Sequence, residues 1–235
     1  MRPKGLLVDF GGTLINELDH DTRRGNAWLW ERAAARPPHV TFEDVLARAD
    51  RVARELAMRR DEFQLETPWA TLTRLIHDFL GIRFDMPMHE LELGFWKASV
   101  RTAPLPGVRE ALEQFRLAHV PMAVVSNTSF GEPVIRDELA RYGLADALAF
   151  IMVSADYAVR KPRTLLFETA AARLGIAPRD IWFVGDRLDT DVAGAKAAGM
   201  TAVWLRPPGA DVPASDTPDL IVDSWPEIVQ LGLAS

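Results

Sequence analysis

The chain has no cysteine among its 235 residues, which excludes thiol catalysis, disulfides and thiolate metal sites. Histidine is also scarce: five residues, scattered without ligand spacing, so no zinc site is expected. Basic residues number 27 against 33 acidic ones, and a formal charge of −6 makes nucleic acid an unexpected partner. The pairs Arg23-Arg24 and Arg59-Arg60 read as ordinary charged helix surface. No apolar run approaches a membrane span, and the N-terminus enters a strand without a signal-peptide pattern. A cytoplasmic protein is the expectation, with no membrane partner. Internal repeats and low-complexity segments are absent too. What is present is 48% hydrophobic and 26% charged residues, a globular balance that suffices for one core with a smaller lobe attached.

The hydrophobic pattern divides the chain into three parts. Residues 4–9 read as a strand, and residues 16–102 as almost wholly helical. Phe42, Val45, Leu46, Ala49, Val52, Ala53 and Leu56 form an apolar stripe at helical spacing. Thr41 precedes it with Asp44 three residues on, an approximate capping box. Trp69, Leu72, Leu75, Ile76 and Phe79 repeat the pattern up to Gly81, and a further helix is predicted over Met88 to Val100. With no strand signal inside it, this block is expected to be a separate all-helical lobe. Trp28, Trp30, Trp69 and Trp96 lie within it and are expected to build its core.

After Ala103-Pro104-Leu105-Pro106-Gly107, strands and helices alternate. Strands are predicted at Met122 to Val125, Phe150 to Val153, Ile181 to Val184, Thr201 to Leu205 and Leu220 to Val222. Helices are predicted at Val108 to Ala118, Val134 to Tyr142, Leu165 to Leu174 and Thr190 to Ala198. Alternation of this kind implies βαβ units, hence an α/β core in which a Rossmann-like parallel sheet carries helices on both faces. The core would comprise residues 1–15 and 103–235. The Pro-rich stretch from Pro207 to Pro218 reads as a surface loop.

Three strands end on a polar residue: Leu6-Leu7-Val8 at Asp9, Met122 to Val125 at Ser126, and Ile181 to Val184 at Gly185-Asp186. Asp and Ser are common turn and cap residues, so each alone is weak evidence. In a parallel sheet, however, all three ends lie on the edge where ligands bind, and together they predict a carboxylate-rich site with a hydroxyl beside it.

Asp9-Phe10-Gly11-Gly12-Thr13 resembles the first motif of the haloacid-dehalogenase-like hydrolase superfamily, whose phosphatase members carry Asp-x-Asp-x-Thr; here Gly11 stands at the second aspartate. Ser126-Asn127-Thr128 is similar to the second motif, Lys161-Pro162 to the third, and Gly185-Asp186-Arg187-Leu188-Asp189-Thr190-Asp191 to the fourth. Any one motif is weak, but the ordered set is specific. The resemblance implies that Asp9 is a nucleophile and that Ser126 binds the transferred phosphoryl group, with Gly12, Thr13 and Asn127 as further substrate contacts. Lys161 would neutralise charge on nucleophile and phosphate. It further implies that residues 16–102 are a cap closing over the site.

The chemistry is consistent with that set. A phosphate dianion facing carboxylates needs a cation between them, and a hard, oxygen-liganded ion such as Mg²⁺ suits Asp9, Asp186 and the backbone carbonyl of Gly11. Asp191 would bind the metal or orient a bound water or Lys161. By the same resemblance, what Gly11 removes is the family's general acid–base. The readings are therefore a Mg²⁺-dependent phosphatase of a small phosphorylated metabolite, a binding protein without turnover, or a carbon–halogen hydrolase. The retained Asp186 and Asp191 favour phosphoryl transfer. Glu17, Asp19, His20 and Asp21 are candidates to supply the missing proton chemistry.

Overall fold

In the computed structural model, residues 2–212 and 218–234 are described. Residues 213–217 of the predicted Pro-rich loop lie outside them. Strand β1 (Gly5–Val8) is buried along its whole length, as a central strand of a parallel sheet must be. Strand β2 (Ile15–His20) follows, then α1 (Thr22–Arg32), α2 (Phe42–Asp61), α3 (Trp69–His77), α4 (Met88–Ser99) and β3 (Val100–Pro104). The remainder alternates: α5 (Val108–Leu117), β4 (Met122–Ser126), α6 (Glu132–Arg141), β5 (Phe150–Val153), α7 (Ser154–Tyr157), α8 (Thr164–Leu174) and β6 (Ile181–Gly185). A π-helical turn at Leu188–Val192 leads into α9 (Ala193–Ala197), β7 (Thr201–Leu205), β8 (Leu220–Val222) and α10 (Trp225–Leu233).

Six strands form one sheet in the order β5-β4-β1-β6-β7-β8, parallel throughout. The pleat sends Leu6 and Val8 to one face and Leu7 to the other. Leu6 and Val8 join a core with Leu112 and Phe115 of α5, Ile135 and Leu139 of α6, and Ile228 of α10. Leu7 joins the opposite core, with Phe167 and Ala170 of α8 and Ala195 of α9. Both faces are thus covered, and the strand ends are left as the open edge. No helix among the described residues is long and apolar enough to cross a membrane.

Helices α1–α4 form the block between the first two motifs. The Thr41–Asp44 capping box is present: the Asp44 N–H donates to Thr41 Oγ1 at 3.3 Å, and the Thr41 N–H donates to Asp44 Oδ2 at 2.8 Å. Val45, Val52, Ile76 and Ile82 make a small core of their own. Trp69, Phe95 and Trp96 instead pack toward Phe10 and Phe130 of the α/β core, with Trp96 edge-on to Phe130 at 4.9 Å. Leu75 and Phe79 of the predicted second stripe are exposed.

The expectation of an all-helical segment over 16–102 is corrected by β2 and β3, which pair antiparallel as the two crossings between core and block. The signal of β2 was absent from the pattern for a physical reason. Only Ile15 of β2 is buried, so the strand has no alternation to read.

Candidate active site

Asp9, Ser126 and Asp186 stand at the C-terminal ends of β1, β4 and β6, which are neighbours in the sheet, and the topology therefore gathers them. Lys161 arrives from the loop between α7 and α8. Its ammonium is 2.6 Å from Asp9 Oδ1 and 2.7 Å from Asp191 Oδ1, and it donates to the Val125 carbonyl at 2.8 Å. Both ion pairs are buried. Asn127 fixes the Lys161 backbone: its Nδ2 donates to the Lys161 carbonyl at 3.0 Å and its Oδ1 accepts the Lys161 N–H at 2.8 Å. Asn127 therefore acts on the lysine rather than presenting a free amide.

Carboxylate oxygens of Asp9, Asp186 and Asp191 lie within 4.8 Å of one another. One ammonium in contact with two of three carboxylates leaves the group short of positive charge. Burial pushes Asp9 above the ordinary carboxylate value despite the opposing pull of Lys161. Burial, with Asp191 nearby, pushes Asp186 up to about 6. Asp191 is likewise pushed up to about 6 by burial, against the pull of Lys161. Burial alone would lower the Lys161 ammonium, but Asp191 and Asp9 outweigh it and hold the lysine above its ordinary value.

The glycines of the first motif have separable roles. Gly12 adopts φ +73°, and a Cβ there would meet Asp186 Oδ2 at 2.4 Å, so only glycine fits. At Gly11 a Cβ would meet nothing within 4 Å. Thr13 is fully buried, with Oγ1 3.5 Å from Asp186 Oδ1 and its carbonyl accepting the Trp225 indole N–H. Gly12 and Thr13 thus support Asp186 and lie off the cavity wall.

A cavity of about 570 Å³ opens over these groups, between the sheet edge and the helical block. Asp9, Gly11, Ser126, Asn127, Lys161 and Asp191 are on its wall. So are Arg60, Arg160 and Arg187, which the sequence reading did not place there. Arg60 is a surface residue near the end of a 20-residue helix, and no local signal distinguishes it. Arg160 is adjacent to Lys161 in sequence and pairs with the buried Glu66, which also accepts from Ser154 Oγ at 2.7 Å. The four acid–base candidates separate clearly. Asp19 is paired with Arg24 at 2.6 Å, and Asp21 is the N-cap of α1, accepting the Arg23 N–H at 2.9 Å. Glu17 and His20 line the cavity, 3.1 Å apart.

This geometry agrees with the comparisons to known proteins. Residues 3–199 match the family model of the haloacid dehalogenase-like hydrolases. Phosphoserine phosphatase of Thermus thermophilus is 31% identical over 144 residues, covering 59% of this chain and 55% of that protein. At 55% and 51%, the chain spans about half the length of several curated relatives it matches. Phosphoglycolate phosphatase of Xylella fastidiosa is 29% identical over 94% of this chain and 89% of its own length. Among solved structures, 2-haloacid dehalogenase from Pseudomonas syringae shares the fold, with a TM-score of 0.66 at 22% identity over 98% of this chain and 96% of that one. With its motifs gathered on one sheet edge and its family model matched from residue 3 to 199, the chain belongs to the haloacid dehalogenase-like hydrolase family.

Proposed function

We propose that the protein is a Mg²⁺-dependent phosphatase of a small phosphorylated compound, acting through an aspartyl-phosphate on Asp9. The observation that carries this is the cluster of Asp9, Asp186 and Asp191, two of which (Asp9 and Asp191) are on the wall of a cavity, with Lys161 bridging those two. The relatives named as phosphatases support the same class of reaction. All three donors are carboxylate oxygens, close together and under-neutralised, which fits a hard divalent cation. Mg²⁺ would be held by Asp9, Asp186 and Asp191, with the Gly11 carbonyl as a further oxygen, and would supply charge neutralisation for the phosphate.

In this reading an Asp9 oxygen attacks phosphorus in line, forming an O–P bond as the bond to the leaving oxygen breaks. Ser126 donates a hydrogen bond to a phosphoryl oxygen, and Lys161 offsets the charge that accumulates there. Water then attacks phosphorus, the Asp9 O–P bond breaks, and the carboxylate is regenerated with release of inorganic phosphate. The leaving oxygen takes up one proton and the attacking water gives one up. With Gly11 unable to carry that proton, the role falls to Glu17 and His20, the pair on the cavity wall. The helical block serves as the cap that excludes water from the reacting phosphorus.

Release of inorganic phosphate from a panel of phosphate esters and acyl phosphates, with Mg²⁺ and with chelator, tests the reading. Turnover that vanishes with chelator supports it. No release from any substrate would leave a binding protein.

The metal assignment has a separate test that needs no turnover. Asp186 and Asp191 are raised to about 6 in the metal-free protein, so below that pH a cation must displace protons. Mg²⁺ affinity measured by calorimetry should be flat above about pH 7 and fall below about pH 6, approaching a hundredfold per unit when two protons are displaced. The stability of the metal-free protein should move the other way. Carboxyls with raised folded-state pKa bind more protons folded than unfolded, so stability rises as pH falls from about 7 to about 5. Mg²⁺ binding indifferent to pH over that window would overturn the reading in which two raised carboxylates hold the ion.

A further inference from the structure

The helical block contains a second cavity, of about 230 Å³, which shares His20, Ser129 and Phe130 with the large cavity over Asp9. The shared residues make it a side chamber of the site. Its character is different. Arg60, Arg160, Lys161 and Arg187 line the large cavity, whereas the side chamber is walled chiefly by Val52, Leu72 and Ile76 with the rings of Trp69, Phe95 and Phe130. Those rings are themselves a packed cluster, Trp69 lying 5.3 Å from Phe95 and 6.4 Å from Phe130, so the wall is pre-formed rather than built on the ligand's arrival.

Two features argue for a ligand. The chamber is several times the roughly 30 Å³ share of one water in the liquid, which is room for a ring-sized group, and it is open to solvent along α2, where Ala53 is exposed. Its wall is chiefly apolar, with His20, Thr22, Asn26, Asp50, Thr73 and Ser129 also on it, so an apolar group entering it gains contacts with the rings and aliphatic side chains. The wall that it shares with the reaction cavity sets what such a group would be attached to.

We infer that the side chamber binds the apolar part of the leaving group, so that the substrate is a phosphate monoester of an alcohol bearing a ring-sized apolar group. This rests on the phosphatase reading and adds a substrate class to it. The phosphate sits at Asp9, Ser126 and Lys161, and the apolar group passes the threshold at His20, Ser129 and Phe130 into the helical block. Small, fully polar phosphate esters would leave the chamber unfilled and gain nothing from it.

The experiment compares methyl phosphate, glycerol phosphate, 2-phenylethyl phosphate and cyclohexylmethyl phosphate with wild type and with Ala53→Phe. Ala53 lies on the chamber wall and is exposed on α2, so the larger side chain intrudes on the space without replacing a packed core residue. In the wild type, kcat/KM for the two ring-bearing esters should exceed that for methyl phosphate by about a hundredfold, and Ala53→Phe should cut that ratio by about tenfold or more. Leu72→Ala, which enlarges the chamber, should move the preference toward bulkier rings. A flat ratio across the series, with turnover present, overturns the inference while leaving the phosphatase reading intact. Where no ester is turned over, calorimetry with Mg²⁺ and 2-phenylethylphosphonate against methylphosphonate decides the chamber by itself. Tighter binding of the phenyl compound, weakened by Ala53→Phe, supports it, and equal binding overturns it.

Discussion

Replacing Asp9 by Asn is expected to lower kcat by about 10⁴-fold or more, since the covalent step has no other nucleophile in place. Lys161 and Asp191 remain buried and paired without it, so the other buried carboxylate on the wall of the cavity stays tied to the lysine. The same substitution should leave the metal-free protein at least as stable as the wild type, which separates loss of chemistry from loss of fold. Asp9 sits above the ordinary carboxylate value because burial opposes its charge. An acid whose folded-state pKa is raised costs stability at any pH where it is ionised, and the neutral amide avoids that cost. Asn also keeps an oxygen to accept from Lys161, whose ammonium retains Asp191 at 2.7 Å, so no buried charge is left without a partner. Thermal melts in chelator, read beside the phosphate assay, check both halves. Residual turnover within about tenfold of wild type would remove Asp9 from the nucleophile's role.

That such predictions are possible from one chain reflects how much of the site was legible in the sequence, and where legibility stopped. Asp9, Ser126 and Asp186 could be read because each follows a short apolar run, and parallel pairing of those runs brings their ends together whatever the loops do. Lys161 had no such support. It stands in a loop, where no periodicity marks a residue, and only the ordered motifs pointed to it. Its placement against Asp9 and Asp191 depends on Asn127, whose side chain grips the lysine's backbone across 34 positions of sequence. Arg60 was illegible for the opposite reason: on its helix it has the look of any solvated cation, and it reaches the cavity because α2 runs 20 residues before ending. Thr13 could be assigned to the motif but not to its partner, the Asp186 carboxylate 173 positions away. Strand β2 stayed hidden because five of its six residues face solvent, which erases the alternation that betrays a strand. Local pattern therefore marks the buried strands of the parallel sheet, while exposed strands and the roles of single polar side chains are set by partners far away in the chain.

The second large effect is a gain. Gly11→Asp is expected to raise kcat on alkyl phosphates by about 10- to 100-fold, the lower part of what positioned acid–base catalysis supplies. The backbone permits it. Gly11 is not among the described residues held at positive φ, unlike Gly12 beside it; it lines the cavity, and a Cβ there would meet nothing within 4 Å. A carboxyl group there could protonate a leaving oxygen and later take a proton from the attacking water. The gain should depend on the leaving group. Alkoxides need the proton badly, whereas aryl oxides and carboxylates leave without it, so rates on aryl and acyl phosphates should change little. Glu17 and His20 complicate the comparison in a useful way, because they already line the cavity 3.1 Å apart. If that pair carries the proton in the wild type, Glu17→Gln should lower the rate on alkyl esters selectively, and Gly11→Asp added to it should restore the rate. If Gly11→Asp and Glu17→Gln each leave alkyl and aryl esters in the same ratio, proton transfer does not limit turnover. The absence of a carboxylate at position 11 would then be a harmless feature of this protein rather than a defect that other residues repair.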